Sequence, residues 1–336
     1  MPYRIGLMGF GRIGRSVFRL LYRREDLRVE AISDVADHKA LEYLLRFDTV
    51  LGRFPDEVRV RDGALYCRGR RVTMLSGREP GDVPWGDLGV DLVVDASARY
   101  RSREALQGHL DRGARRVILC VPPRDEPDIT VVMGVNEDQL RPEHRLISNA
   151  SSTAQCVAPI LRYLHETFRL RRVLFTTVHA YTNQDRLADV PHNDLRRGRA
   201  AAENIIPTAT NAPTLLGKLL PELAGRIEGT ALNVPVPDGS LVDMVAWTDR
   251  KVDVGAINEI IRTAAAGPLK GIVRYEEEPI VSSDVRGPES AVFDALSTMT
   301  LGDDLLKVVA WFDNGWGYSN RVVDLIERIV AMEEGR

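Results

Sequence analysis

Gly9-Phe10-Gly11-Arg12-Ile13-Gly14 is the stretch on which the fold turns, together with Asp34 twenty residues beyond its last glycine. The hexapeptide fits G-x-G-x-x-G, which alone is a weak pattern; its setting makes it specific. Apolar Tyr3–Met8 before it reads as a strand, and the residues after it place Ile13, Val17, Leu20 and Leu21 on one helical face. A second strand, Arg28–Ser33, then delivers Asp34 at its end. This is the context of a dinucleotide-binding βαβ unit. Gly9 permits the tight turn, Gly11 lets the backbone approach a pyrophosphate, and Gly14 allows close helix–strand packing. Arg12, Ile13 and Gly14 open the helix, where N–H groups and the positive dipole end favour phosphate. Asp34 accepts from both ribose hydroxyls and repels a 2′-phosphate, so the expected cofactor is NAD rather than NADP.

The alternation continues outward from this unit. Helical Lys39–Phe47, apolar Leu92–Asp95, helical Arg103–Arg112 and apolar Val117–Val121 extend a set of parallel βαβ units. Between them Val58–Met74 reads as a hairpin meander, with turns at Asp62-Gly63 and Arg68-Gly69. After about Ser151 the grammar changes. A helix near Thr153–His165 precedes a β-rich run, Val173–Thr182, and strands Gly229–Val236 and Ser240–Thr248 are joined by Pro237-Asp238-Gly239. A helix at about Gly255–Ala265 and strands at Ile272–Tyr275, Ala291–Leu296 and Leu306–Phe312 follow. This second part predicts a mostly antiparallel sheet with helices on one side. An amphipathic helix over residues 319–334 closes the chain, with Ser319 as its N-cap.

Composition narrows the class. A length of 336 residues suits about two domains, and 44% hydrophobic with 28% charged residues excludes a disordered or collagen-like chain. The net charge of −3 argues against nucleic acid or a membrane surface as partner, with Arg196-Arg197-Gly198-Arg199 a local exception. Cys67, Cys120 and Cys156 are too few and too scattered for a disulfide framework, and no metal site is expected. His38, His109, His144, His165 and His192 have no metal-ligand spacing and read as structural or surface residues. No apolar run approaches the ~20 residues that cross a bilayer, and the N-terminus lacks a signal-peptide pattern, so a cytoplasmic protein is expected. Cys120 ends a strand at the carboxyl edge of the first sheet, where cofactors lie in such folds. Cys156, one helical turn past Ser152, reads as a small core thiol.

Ser148–Cys156 runs Ser-Asn-Ala-Ser-Ser-Thr-Ala-Gln-Cys. This resembles the active-site segment of the phosphorylating glyceraldehyde-3-phosphate dehydrogenases, where Ser-Asn-Ala-Ser precedes a catalytic cysteine. The similarity extends over nearly the whole chain, through Gly9–Arg15, Met133–Asn136, Thr176–Asn183, His192–Ala202, Asn204–Thr208 and Trp311–Leu325. It implies an α/β protein: an N-terminal Rossmann dinucleotide-binding domain over residues 1–150, then an α+β catalytic domain over 151–315. The C-terminal helix, 316–336, would pack back on the first domain. It also implies a homotetramer, with a loop around residues 181–204 near a neighbouring cofactor site. In the family's mechanism a thiolate attacks an aldehyde, a histidine accepts the proton, hydride passes to NAD, and phosphate releases the thioester. By the same resemblance His179 is the base and Asn314 and Tyr318 flank the nicotinamide, while Arg78, Ser97 and Cys120 line the cofactor. Ser151, Thr153, Thr210 and Arg197 belong to the site of the attacking phosphate, and Thr182 is half of the site for the substrate's own phosphate.

The departures carry as much information as the matches. Ser152 stands at the nucleophile position, and a hydroxyl lacks the neutral-pH anion of an activated thiol. It needs a strong base and an oxyanion-stabilising site. Asn233 stands where the family has an arginine before Val-Pro-x-Pro, which removes a phosphate-clamping cation. Gln184 replaces an acidic residue, Asn211 replaces a glycine after Thr210, and Gly315 replaces a glutamate. These changes point to a divergent NAD-dependent oxidoreductase acting on a small polar carbonyl or hydroxyl compound without the usual phosphate. Two routes stay open: Ser152, assisted by His179, forms a hemiacetal and then an ester, or His179 deprotonates an aldehyde hydrate or alcohol directly. The rival readings are an ordinary family member inactivated by a Cys-to-Ser change, and an NAD-binding sensor or assembly subunit without turnover.

Overall fold

Strands β1 (Tyr3–Met8) and β2 (Leu27–Ser33) pair in parallel, joined by helix α1 (Arg12–Leu21). Helix α2 (His38–Arg46), the short strands β3 (Phe47–Asp48) and β4 (Gly52–Arg53), and the meander β5 (Val58–Arg61), β6 (Ala64–Cys67) and β7 (Arg70–Leu75) come next. They are followed by β8 (Leu92–Asp95), α3 (Arg103–Asp111), β9 (Arg116–Leu119), β10 (Ile129–Thr130) and β11 (Leu146–Ser148). The computed structural model describes residues 1–335, and among these the first sheet runs β10-β11-β9-β8-β1-β2-β7-β6-β5. It is parallel from β10 to β7; only the last two pairs, β7 with β6 and β6 with β5, are antiparallel. Both meander turns have two positive φ values, Asp62 at 48° with Gly63 at 65°, and Arg68 at 52° with Gly69 at 75°. Such turns match the right-handed twist of the strands they join. Every residue of β8 and β9 is buried, as expected of central strands covered on both faces.

The second part comprises α4 (Ser152–Phe168), β12 (Leu170–Ala180), β13 (Ile206–Thr208), α5 (Ala212–Leu219), β14 (Ile227–Val234), β15 (Ser240–Thr248), α6 (Val254–Ala266), β16 (Val273–Glu276), β17 (Ala291–Leu301) and β18 (Leu305–Phe312). Its sheet runs β13-β14-β12-β15-β18-β17-β16, antiparallel except where β12 meets β14 and β16 meets β17. The turn Pro237-Asp238-Gly239 therefore joins β14 to β15 without pairing them, because β12 lies between. Strand β15 alternates buried and half-buried positions, so one face of the sheet packs inward. Helix α4 covers that face over β12, β15, β17 and β18, with residues Thr153–Leu161 all buried.

The chain divides into two compact units. One holds Met1–Val131, Glu137–Ala150 and the chain from Ser319 on; the other holds Val132–Asn136 and Ser151–Tyr318. The last helix, α7 (Trp316–Glu333), begins three residues before the expected start. Ser319 is wholly buried inside it rather than capping it. The head is instead made by Asp313, whose Oδ1 accepts from the N–H groups of Gly315 (2.8 Å) and Trp316 (2.6 Å). Toward its C-terminal end the helix is tied to the first unit's strands: Tyr3 Oη donates to Glu333 at 3.1 Å, and Arg116 pairs with the same carboxylate. No helix among the described residues is long and apolar enough to cross a membrane.

Candidate functional site

In the first unit the turn between β1 and α1 is made by Gly9 at φ +88°. A Cβ there would lie 2.7 Å from the Ser97 backbone, and one at Gly14 would lie 2.1 Å from the Gly9 carbonyl, so both sites demand glycine. Gly11 differs. A Cβ there would meet no heavy atom within 4 Å, so the fold itself does not require a glycine. The open space lies at the N-cap of α1, which has no side-chain cap and no acidic residue in its first turn. Arg12 and Ile13 are the first two residues of that helix. Asp34, at the end of β2, is pinned from both sides: Oδ2 accepts from Phe10 N (2.7 Å) and Oδ1 from Ala36 N (2.9 Å). Each oxygen retains acceptor capacity for a hydroxyl. Uncapped helix, open cradle and fixed carboxylate fit a dinucleotide's pyrophosphate and ribose.

Ser97 is held from behind. Its N–H and hydroxyl both donate to Asp95 Oδ1, at 2.9 and 2.6 Å. Asp95 is wholly buried, and its Oδ2 lies 3.2 Å from His109 Nε2. His109 Nδ1 in turn lies 2.9 Å from the indole nitrogen of buried Trp85. An indole N–H only donates, so Nδ1 must be the bare nitrogen and Nε2 carries the proton toward Asp95. His109, read from sequence as structural or surface, is buried and structural, but no spacing tied it to Asp95 or Trp85. Arg78 is exposed; its N–H donates to Asp82 at 2.8 Å, and its carbonyl accepts from Tyr100.

In the second unit Ser151 caps α4, its Oγ accepting from Ala154 N at 3.1 Å. Ser152 is the first residue of that helix and half-buried, and Thr153 behind it is buried. Ala150, just before the cap, holds a left-handed φ of 55°, unusual for a residue with a Cβ. His179 lies near the end of β12, its ring edge-on to Phe312 at 5.8 Å between centroids. Its Nδ1 is 2.7 Å from the Ala180 carbonyl. A carbonyl only accepts, so Nδ1 carries the proton and the basic lone pair lies on Nε2.

His179 stands opposite Asn233 in the parallel register of β12 with β14. Asn233 Nδ2 donates to Asp185 Oδ1 at 2.7 Å. The other carboxylate oxygen of Asp185 accepts from Thr182 N (2.8 Å) and Thr182 Oγ1 (3.2 Å). Thr182 and Asn233 are thus linked through Asp185, a residue to which the sequence reading assigned no role. At the head of α5, Thr210 Oγ1 accepts from Ala212 N at 3.2 Å, while Asn211 is exposed and its side chain caps nothing. Arg197 has a buried Nε with no hydrogen-bond partner among the described residues. Asn314 is buried with an equally unpartnered Oδ1, an acceptor suited to a carboxamide, and Tyr318 is buried in the first turn of α7.

The thiols are unsuited to attack. Burial, reinforced by the nearby Asp95 charge, pushes Cys120 well above the ordinary thiol range. Burial does the same to Cys156, and it raises Cys67 to about 11. No group of His, Cys, Asp or Glu among the described residues is arranged to hold a metal ion.

A parallel sheet with a glycine turn feeding an uncapped helix, followed by an α+β unit, is the architecture of the two-domain NAD-dependent dehydrogenases. The comparisons make the class specific. Residues 3–103 match the glyceraldehyde 3-phosphate dehydrogenase NAD binding domain, and residues 151–314 match the C-terminal domain of the same enzymes. Glyceraldehyde-3-phosphate dehydrogenase of Geobacillus stearothermophilus is 46% identical over 333 residues, covering 98% of this chain and 99% of the relative. That of Priestia megaterium is also 46% identical, over 98% of this chain and 99% of its own length. Glyceraldehyde-3-phosphate dehydrogenase 1 of Streptomyces avermitilis is 46% identical over 97% of this chain and 98% of its own. The chain belongs to the glyceraldehyde-3-phosphate dehydrogenase family, and its cofactor is NAD.

Proposed function

We propose that this chain is a divergent oxidoreductase that oxidises a small polar aldehyde, or the corresponding alcohol, without forming a thioester. Two observations carry the reading: a hydroxyl, Ser152, stands at the head of α4, and the imidazole of His179 has its Nδ1 anchored by a backbone carbonyl. A serine nucleophile needs an imidazolium stabilised from behind, usually by a buried carboxylate. His179 donates its Nδ1–H to Ala180 O, a neutral acceptor that orients the ring. Direct proton abstraction from an aldehyde hydrate asks less of such a base.

Bound NAD supplies the hydride acceptor. The first unit's residues hold it: Gly9, Gly11, Arg12, Ile13 and Gly14 at the pyrophosphate, Asp34 at the ribose, and Arg78, Ser97 and Cys120 along the rim. By the family's pattern, Asn314 and Tyr318 would serve the nicotinamide. His179 would take the hydroxyl proton at Nε2, and Ser152 would hydrogen-bond the reacting oxygen. The hydrate leaves as the carboxylic acid. Arg197, Ser151, Thr153, Thr210 and Asn211 form an anion pocket suited to the product carboxylate, supported by the unpartnered guanidinium nitrogen of Arg197. Exposed Leu187 and Leu195, 85% and 84% accessible on the 181–204 loop, support assembly as a homotetramer.

The test is NADH formation from hydroxyaldehydes with and without inorganic phosphate. The unaltered chain should turn over without phosphate, and His179→Asn should lower kcat by roughly 10²–10⁴-fold with NAD binding retained. Brisk acyl-phosphate production from glyceraldehyde 3-phosphate would overturn the reading. So would a Ser152→Cys variant using that substrate with the Michaelis constant of its relatives, which would mark the chain as an inactivated ordinary member. NAD binding with no turnover of any aldehyde or alcohol would leave the non-catalytic sensor.

A further inference from the structure

Asp185 is a half-buried carboxylate held by neutral donors. It forms no ion pair among the described residues; its partners are Thr182 N, Thr182 Oγ1 and Asn233 Nδ2. The Thr182 bonds span three residues and would shape any loop. The Asn233 bond spans 48 residues and fastens the loop to β14 at the register position opposite His179. The donors that would otherwise receive an incoming anion are therefore already occupied by an anion belonging to the chain itself. A second anion placed there meets like charge, which at a few ångströms in a partly buried site is strongly unfavourable.

We propose that Asp185 is a specificity-determining residue, and that the substrate's end remote from the reacting carbon is non-anionic and donates hydrogen bonds to this carboxylate. A terminal hydroxyl or ammonium group has that chemistry; a phosphate does not. The inference rests on the reading of His179 as the base, since that reading places the reacting carbon beside it. Two carboxylate oxygens offer about four acceptor positions, of which three are filled, so one remains for a substrate donor.

The test compares kcat/KM for glyceraldehyde and glyceraldehyde 3-phosphate in the unaltered protein and in Asp185→Asn. The unaltered protein should favour the uncharged aldehyde. In Asp185→Asn the two values should move in opposite directions: the phosphorylated substrate improves about tenfold as repulsion is relieved, and the uncharged one falls several-fold with its acceptor. A purely structural role would lower both together, and that outcome overturns the proposal. The unaltered protein gives a second readout that needs no variant. Added salt should lower the Michaelis constant for the phosphorylated aldehyde and leave that for the uncharged one in place; no difference between them argues against Asp185. Binding followed by NMR without NAD separates this claim from the catalytic one. If neither aldehyde is oxidised, these two compounds are not substrates of the oxidoreductase, and binding alone decides the role of Asp185. Asp185 keeps its role if Asp185→Asn still strengthens binding of glyceraldehyde 3-phosphate, and loses it if binding is unchanged.

Discussion

His109→Leu would cut the chain Trp85–His109–Asp95–Ser97 at its middle. The substitution leaves two groups without partners in a site of zero exposure, the indole N–H of Trp85 and Oδ2 of Asp95. An orphaned buried group costs about 1–3 kcal/mol, so the loss should be about 2–6 kcal/mol. That is a large part of the roughly 5–15 kcal/mol holding a domain together. Trp85→Phe orphans only His109 Nδ1. The double variant removes both the indole donor and the imidazole, so Asp95 alone is stranded. Summing the single effects counts three orphans where the double has one, so the pair should be less destabilising than the sum by at least about 1 kcal/mol. Urea unfolding of the four proteins, followed by fluorescence and circular dichroism, measures this coupling. NAD affinity by calorimetry should fall alongside in His109→Leu, because Asp95 holds both donors of Ser97. Additivity within about 0.5 kcal/mol would refute the wiring and leave His109 as ordinary filler.

Two glycines of one motif should fail differently. Gly14→Ala forces a methyl to 2.1 Å from the Gly9 carbonyl and should lower the melting temperature, whereas Gly11→Ala should melt normally yet bind NAD at least about tenfold more weakly by calorimetry. Asp34→Asn should narrow the preference for NAD over NADP, measured as the ratio of dissociation constants, since the charge that repels a 2′-phosphate is gone. Asp313→Ala removes the acceptor for Gly315 and Trp316 N–H and should destabilise the protein by about 1–2 kcal/mol in urea titration. Thiol reagents at pH 8 should label the native protein slowly. A cysteine raised to about 11 is ionised there to only about one part in a thousand, and the thiols are buried besides. Rapid loss of a thiol in the folded state would contradict the burial.

Local rules carried the first unit because its signals are local. A glycine turn, an acid at a strand end and two positive-φ turns each declare themselves within a few residues, and the parallel sheet follows from their order. The second unit hid more. Pro237-Asp238-Gly239 has the chemistry of a hairpin turn, but β12 wedges between the strands it joins, and strand order is a tertiary outcome. Ser319 looked like a cap because serine favours caps, while Asp313, which does the capping, sits before a Gly-containing turn that masks the helix start. Ser152, His179 and Asn233 were singled out from the family's pattern alone. Asp185 was not, because its partner lies 48 residues away and its identity matters only once the loop folds back. His109 and Asp95 lie fourteen residues apart on different elements, and no periodicity links them to Trp85.

The same sealed sulfurs bear on life under peroxide. Oxidants strike thiolates that solvent can reach, carrying them to sulfenic and then irreversible acids. Here an oxygen, that of Ser152, heads α4, and the three cysteine thiols are buried, with Cys120 and Cys156 held strongly toward the protonated form. If the chain works without a thiolate, as proposed, its activity should survive bursts of hydrogen peroxide that oxidise a reactive thiol.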